Sequence, residues 1–286
     1  MASTVEQADI RGLDIDKAVK GFAEVEYVFK NDLMVTSTKA DSIRWYQKTA
    51  GDLTPTAPSV ISNVSPLSIP TTLEVSWSRN TSYVRKYMVE GFLSMEDIES
   101  ADIDVLAQTL RDLTRAITKA VDQRIYSVVC DYANVNMFTI TSGAWNIASF
   151  ATEPIKDILF AKEHLTSGGY NAEGTTLWLH PQGYRALINY LIAGKGSSIP
   201  NYASEKIKTG VVMSLLNVNI KVSPNCSADQ AVLLIPQRSA TWKSFTDTTA
   251  RTIEEPGLGK KIRVWEIGEA ILTDPKSVVV ISNILA

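Results

Sequence analysis

Between Asp102 and Cys130 the chain reads DIDVLAQTLRDLTRAITKAVDQRIYSVVC, without a single proline or glycine. Leu106, Leu110, Leu113, Ile117, Val121, Ile125 and Val128 recur at steps of three or four, which places them on one face of an α-helix. Glu96, Asp97, Glu99, Asp102 and Asp104 gather at its start and Arg124 near its end, the order that suits the helix macrodipole. Ser100 or Asp102 is placed to cap the first free amides. At ~1.5 Å per residue such a helix would be on the order of 40 Å long. Few domains of ordinary size hold a rod of that length. It is expected to act as a spine, with Leu106, Leu110, Leu113, Ile117 and Val121 facing the core.

Composition excludes several classes. With 286 residues the chain is one large domain or two smaller ones, and 45% hydrophobic with 21% charged residues is a globular balance. A net charge of -3 argues against strong sequence-independent DNA binding. Cys130 and Cys226 form no metal or redox motif, so no disulfide framework is expected and a reducing compartment is the default. The opening MASTVEQADIRGLD lacks the basic and apolar regions of a signal peptide, and no apolar run approaches the ~20 residues that span a bilayer. A cytoplasmic protein with no membrane partner is expected.

Residues 1–30 are polar and mixed in charge, with a short helix expected over Asp14–Val28; they read as an arm that orders on something else. Strands are expected near Leu33–Thr38 and Ser42–Gln47. Pro55, Pro58, Pro66 and Pro70 then forbid helix and interior strand over 52–70. Yet Val60, Ile61, Val64, Leu67 and Ile69 are too apolar for a solvated linker, so this extended loop wants a partner surface. Over 71–90, Leu73, Val75 and Trp77 alternate, a turn is expected at Arg79–Ser82, and Tyr83, Arg85, Tyr87 and Val89 alternate after it. The result is a strand pair closing the excursion begun near Leu33, with Trp45 and Trp77 flanking the proline-rich part.

Beyond Cys130 an irregular stretch is expected to Phe150. A second helix follows, capped by Thr152, with Pro154 in its first turn and Ile155, Ile158, Leu159, Phe160 and Leu165 as apolar positions. Gly168–Gly169 end it. Thr175–Leu179 reads as a buried strand. Pro181 opens a third helix, which Gly194 stops. Residues 194–206 form a second long polar loop. Strands are expected at Val218–Val222, Ala231–Pro236, Thr241–Thr246, Arg263–Ile267, Ala270–Leu272 and Ser277–Ile281, with turns at Ser223–Asn225, Pro256–Lys260 and Asp274–Pro275. No period of 20–50 residues repeats, so a solenoid is excluded.

Catalytic chemistry is hard to find. His164 lies in AKEHL without the spacing that puts two zinc ligands on one helix face, and His180 precedes Pro181; structural roles are expected for both. No serine sits in a GxSxG elbow. GKGSS at Gly194–Ser198 lacks the earlier glycine of a phosphate loop, since Tyr190 stands there, and Gly196 follows Lys195 where Ser or Thr is needed. No catalytic, cofactor-binding or metal site is assigned. Arg111, Arg115 and Lys119 make a basic stripe at four-residue spacing. Three charges are too few for a nucleic-acid site, so a solvated face balanced by Asp112 and Asp122 is preferred, with an inner-face charge as the alternative.

The order of parts is a polar arm, a two-stranded excursion, a spine helix, a helix-and-strand domain and a returning sheet. Three stretches carry a family likeness: GFLSMEDIESADIDVLAQTLRDLTRAITKAVDQRIY, EPIKDILFAKEHLTSGGYNAEGTTLWLHPQGYRALINYL with its P-x-x-Y-x-x-L phrase, and GEAILTDPKSVVVISNI. The chain resembles the major capsid proteins of tailed viruses. That resemblance implies an α+β, HK97-like (Hong Kong 97) capsid fold. It implies an N-terminal arm over 1–30 and an E-loop over 31–90 that lies on a neighbouring subunit. A peripheral domain over 91–150 and 256–286 would carry the spine helix 102–130, and 151–255 would be mostly apical domain. Trp45, Val60, Ile61, Val64, Leu67, Ile69 and Trp77 would make the intersubunit contact. The chain would be a non-enzymatic subunit of an icosahedral or prolate shell around a double-stranded DNA genome, needing no cofactor. Its partners would be itself, in hexameric and pentameric capsomers, together with portal, scaffolding or decoration proteins and weakly bound DNA. It would assemble in the host cytoplasm. Because the chain starts at the arm, scaffolding would be separate or unnecessary. No asparagine matches a crosslink acceptor for Lys39 or Lys48, so crosslinking is not expected.

Two alternatives stand beside this. An encapsulin-type nanocompartment shell has the same fold but usually starts with an amphipathic helix, which the polar arm fits poorly. An enzyme with an unrecognised site would form a small oligomer and show turnover.

Overall fold

Val105–Val129 form one helix, α1, and the other layers are laid around it. The computed structural model describes residues 18–23, 27–50, 65–69, 76–96, 105–140, 143–146, 153–191 and 214–285. Leu110, Leu113, Ile117, Val121 and Ile125 are buried along α1, and Leu106 and Val128 pack partly buried against the same core. The expected caps Ser100 and Asp102 lie outside the described residues, as do Thr152, Gly194 and the loop 194–206.

In chain order the strands are β1 (Met34–Ser37), β2 (Ser42–Ala50), β3 (Ser76–Tyr83), β4 (Arg85–Ser94), β5 (Asn136–Thr139) and β6 (Thr176–Leu179). Then come β7 (Ser214–Leu215), β8 (Val218–Val222), β9 (Gln230–Leu234), β10 (Ala240–Glu255), β11 (Gly259–Leu272) and β12 (Val278–Ser282). Two more helices are α2 (Pro154–Ser167) and α3 (Pro181–Asn189). Among the described residues they form a long sheet in the order β1-β10-β11-β4, a six-stranded sheet β5-β12-β9-β6-β8-β7, and a separate β2-β3 ribbon.

The long sheet lies on α1. Gly91 of β4 is a point of close approach, since a Cβ there would stand 3.1 Å from a methyl of Leu113. The expected short strands Thr241–Thr246, Arg263–Ile267 and Ala270–Leu272 are instead parts of two long ones, β10 and β11. Gly268 falls in the gap between the expected strands Arg263–Ile267 and Ala270–Leu272. In the fold it lets the indole of Trp242 cross the strand, because a Cβ would lie 2.6 Å from that ring. Residues 247–255 look too polar for a strand because alternate side chains there face outward, while Ala250 points into the core. The expected turn at Pro256–Lys260 is present, and Gly257 (φ +77°) and Gly259 (φ +148°) supply its left-handed backbone.

The turn expected at Arg79–Ser82 is absent. These residues run within β3, paired with β2 in antiparallel register from Ser42↔Tyr83 to Ala50↔Ser76. The chain changes sheets at Val84 instead, and β4 pairs with β11. Asn80 reads as a turn residue, but its amide donates to Gln47 Oε1 of β2 at 2.7 Å.

The stretch after Cys130 is not wholly irregular, since β5 pairs in parallel with β12. The six-stranded sheet is buried on both faces. Trp178, Val232, Leu234, Val278 and Val280 join the core of α1, while Leu177, Leu179, Leu233, Val279 and Ile281 pack beneath α2 and α3. The C-terminal strand β12 therefore belongs to this sheet and not to the one on α1. In α2, Glu153 rather than Thr152 occupies the cap position, and Leu159 and Phe160 are exposed because Ile158, Ala161 and Leu165 form the inward stripe.

The N-terminal residues also depart from expectation. Residues 18–23 are helical. Val19, Ala23, Tyr27, Phe29 and Leu33 are buried in the same core as α1, so this part of the arm orders on its own subunit.

Candidate functional site

The residues expected to meet another copy begin with those of the β2–β3 ribbon. Two side chains of β2 fasten the ribbon's base. Trp45 Nε1 and Gln47 Nε2 both donate to the carbonyl of Leu272, at 3.1 and 2.6 Å. Trp45, expected to face a neighbour, is thus half-buried and engaged within its own subunit. A tryptophan whose N–H meets a backbone acceptor next to a packed sheet is an anchor.

The rest of the expected contact set divides. Trp77 is 59% exposed on β3, and Leu67 and Ile69 are essentially fully exposed at 104% and 94%. Val60, Ile61 and Val64 lie outside the described residues, as do Leu73 and Val75. The ribbon is therefore pinned at its base with Trp77 exposed on β3, and Leu67 and Ile69 are exposed in the segment 65–69 that lies between its strands in sequence.

A polar junction that sequence reasoning missed locks residues 27–33 in place. Asp122, read in the sequence as part of a solvated face, is buried. Its carboxylate accepts the backbone N–H of Val28 at 2.9 Å, and those of Phe29 and Lys30 at 3.4 Å. Burial pushes its pKa up to about 6, against the opposing pull of those N–H groups and of Lys30. Asp32 accepts from Trp178 Nε1 and from Lys221 Nζ, each at 2.7 Å. Lys30 Nζ reaches the fully buried Glu266 at 2.6 Å, and Tyr27 OH and Thr248 donate to the other oxygen of that carboxylate. Burial and the charge of Glu266 push the Tyr27 phenol well above its ordinary range. One faint signal existed: Thr114, Thr118 and Asp122 sit at four-residue steps beside the apolar stripe, and all three are buried.

Glu269, also fully buried, accepts Arg124 Nε and Nη2 at 2.9 and 2.6 Å. These junctions join the N-terminal segment, α1 and both larger sheets into one body.

Arg111, Arg115 and Lys119 are exposed on the outer side of α1. The guanidinium of Arg111 stands 5.1 Å from the ring of Phe22, so one member of the stripe lies against the N-terminal helical turn.

The histidines and cysteines sit in structural settings. His180 caps α3, its Nδ1 accepting from the N–H of Gln182 at 3.2 Å. His164 meets Phe160 edge-on at 4.8 Å. Cys130 and Cys226 are free and buried, and burial pushes the Cys130 thiol up to about 12, far from a reactive thiolate. Among the described residues no group of His, Cys, Asp and Glu is arranged to hold a metal ion, and no helix is long and apolar enough to cross a membrane.

Residues 92–281 match the model of a family described as phage capsid protein. No curated protein matches the sequence. Solved structures match over nearly the whole length. A virus-like particle from Pyrococcus furiosus superposes with a TM-score of 0.65 at 11% identity, covering 94% of this chain and 98% of the other. The capsid of Cyanophage P-SCSP1u gives 0.66 at 14% identity, covering 90% and 88%. Mycobacterium phage Che8 gives 0.64 at 16% identity, covering 91% and 93%.

Proposed function

This chain belongs to the phage capsid protein family and has the HK97-like fold, and from that premise we propose how it builds a shell. It is a structural capsid subunit, and it self-associates through hexameric and pentameric capsomers into an icosahedral or prolate shell around double-stranded DNA. The observation that carries the assembly step is the β2–β3 ribbon, anchored at Leu272 while Leu67 and Ile69 stand in solvent. Exposed apolar side chains on an anchored arm gain burial only from another molecule.

In this reading the ribbon is the E-loop, within 31–90, and Val60, Ile61, Val64, Leu67, Ile69 and Trp77 meet the neighbour. The peripheral domain comprises α1 and the long sheet, including β10. The apical domain comprises the six-stranded sheet with α2 and α3, and takes in β12. The subunit performs no catalysis. It assembles in the host cytoplasm, with portal, scaffolding or decoration proteins as further partners. Packaged DNA is touched only weakly and non-specifically, and Arg111, Arg115 and Lys119 remain a solvated basic face with an inner-face role as the alternative.

Electron microscopy of the purified protein tests this, with closed particles or capsomers expected. A protein that stays monomeric across salt, pH and concentration, with and without the other virion proteins, would refute it. The likeness to an archaeal virus-like particle supports one other reading, a shell around a protein cargo. Particles purified from the native source distinguish the two, holding nucleic acid in the first case and a companion protein in the second.

A further inference from the structure

The long sheet buries one face against α1, and its other face carries large apolar side chains in solvent. Met88, Phe92 and Ile253 there are 54%, 50% and 39% exposed. Lys86, Met88, Arg251, Ile253, Arg263 and Trp265 line a groove of about 430 Å³ on this face. Its charges are unbalanced. Arg263 is held by Glu90 at 2.6 Å, and Lys261 by Glu255. Arg251 and Lys86 have no ion-pair partner among the described residues.

Arg251 is moreover the direct cross-strand partner of Arg263. Like charges directly opposite one another destabilise a sheet. An anion lying across the two strands would relieve this, and apolar side chains between the anions would cover Met88, Trp265 and Ile253.

We infer that this groove binds residues 96–104 of a second copy of the chain. The segment reads EDIESADID. Glu96, Asp97, Glu99, Asp102 and Asp104 are set between Ile98 and Ile103, with no Lys or Arg. Other candidate segments fit less well. Residues 52–70 hold Asp52 as their one acidic side chain, and in residues 1–17 the acids are interspersed with Arg11 and Lys17. Within one subunit the ends of the acidic segment are fixed by β4 on one side and by α1 on the buried face of the sheet. The groove opens on the opposite face. This rests on the shell reading, since it requires a second copy.

Two full-length chains, one carrying Arg251→Cys and the other Ser100→Cys, are co-expressed with tags of different size, and the assembled particles are oxidised with copper phenanthroline. A mixed dimer on a non-reducing gel is expected, absent when either substituted chain is expressed alone. A second measurement follows a fluorescent peptide of residues 95–104 binding to unassembled subunit. Arg251→Glu should weaken it about tenfold or more, as should replacing the peptide's acids by their amides. Normal particles without the mixed dimer, or a peptide indifferent to Arg251→Glu, would overturn the inference and leave the shell reading intact. A short DNA duplex that binds through Arg251 where the peptide does not would overturn it in favour of nucleic acid. A parent chain that never self-associates would remove the shell reading and this inference together.

Discussion

The carboxylate of Asp122, two-thirds of the way along α1, accepts the backbone N–H of Val28 at 2.9 Å and so ties the N-terminal segment to the spine helix. Burial raises this carboxylate from an ordinary 3.8 to about 6. A carboxyl raised on folding is one the folded subunit prefers protonated. Its stabilising contribution is therefore complete below pH ~3.8 and lost as pH rises through ~6, a change on the order of 3 kcal/mol. Asp122→Asn cannot titrate. Its amide also places donors among donors, so the variant should be the less stable chain at pH 4. Urea unfolding at several pH values between 4 and 7 should show the parent's advantage shrinking as pH rises. A constant gap would mean that Asp122 does not titrate in this window.

Ile117 lies on the opposite side of α1 from the basic stripe and is 2% exposed. Ile117→Asp would bury an unpaired carboxylate, costing several kcal/mol, a large part of a domain's stability. Lys119→Ala, two positions on, removes an exposed charge and should shift stability by no more than ~0.5 kcal/mol. Thermal melting of both variants checks this. Similar small shifts in the two would show that the helix face is assigned wrongly.

How much of this was legible depended on whether a residue's role was periodic or local. The α1 stripe and the buried run Thr176–Leu179 could be read because burial imposes a period or a continuous apolar stretch. Asp122, Asp32 and Glu266 could not, because each is buried by partners far away in sequence: Val28, Lys221 and Lys30. A charge read locally looks solvated. β10 and β11 read as short separate strands for a related reason. One face of the long sheet is open, so its outward residues are Lys261, Arg263 and Arg251, and the strands look like loops. Trp45 and Trp77 look alike in sequence, flanking one loop, yet Trp45 is bonded to Leu272 and Trp77 faces solvent.

Gly268 tests whether the long hairpin packs as described. A Cβ there would stand 2.6 Å from Trp242 and 2.8 Å from the carbonyl of Lys243. Neither can retreat easily, since Trp242 is fully buried and the carbonyl is backbone. Gly268→Ala should destabilise by about 1–3 kcal/mol, and Gly268→Val by more. In denaturant unfolding, an alanine variant as stable as the parent would show that the indole does not cross the strand here.

The proline-rich segment 52–70 is the part of the chain whose removal should separate folding from assembly. Its two flanks are already paired, β2 with β3 from Ser42↔Tyr83 to Ala50↔Ser76, and the base is bonded through Trp45 and Gln47 to Leu272. Closing that ribbon with a short Gly-Ser turn shortens the loop, and a shorter loop costs less entropy to close. Leu67 and Ile69, exposed at 104% and 94%, stabilise nothing in their own subunit. Across an interface each buried Å² of such surface is worth ~25 cal/mol before ordering costs. Replacing 52–70 should therefore leave circular dichroism and melting temperature close to the parent's, while sedimentation and electron microscopy show particles lost or unstable. A variant that assembles as well as the parent would remove the loop from the interface. One that never folds would show that residues 52–70 belong to the subunit's own core.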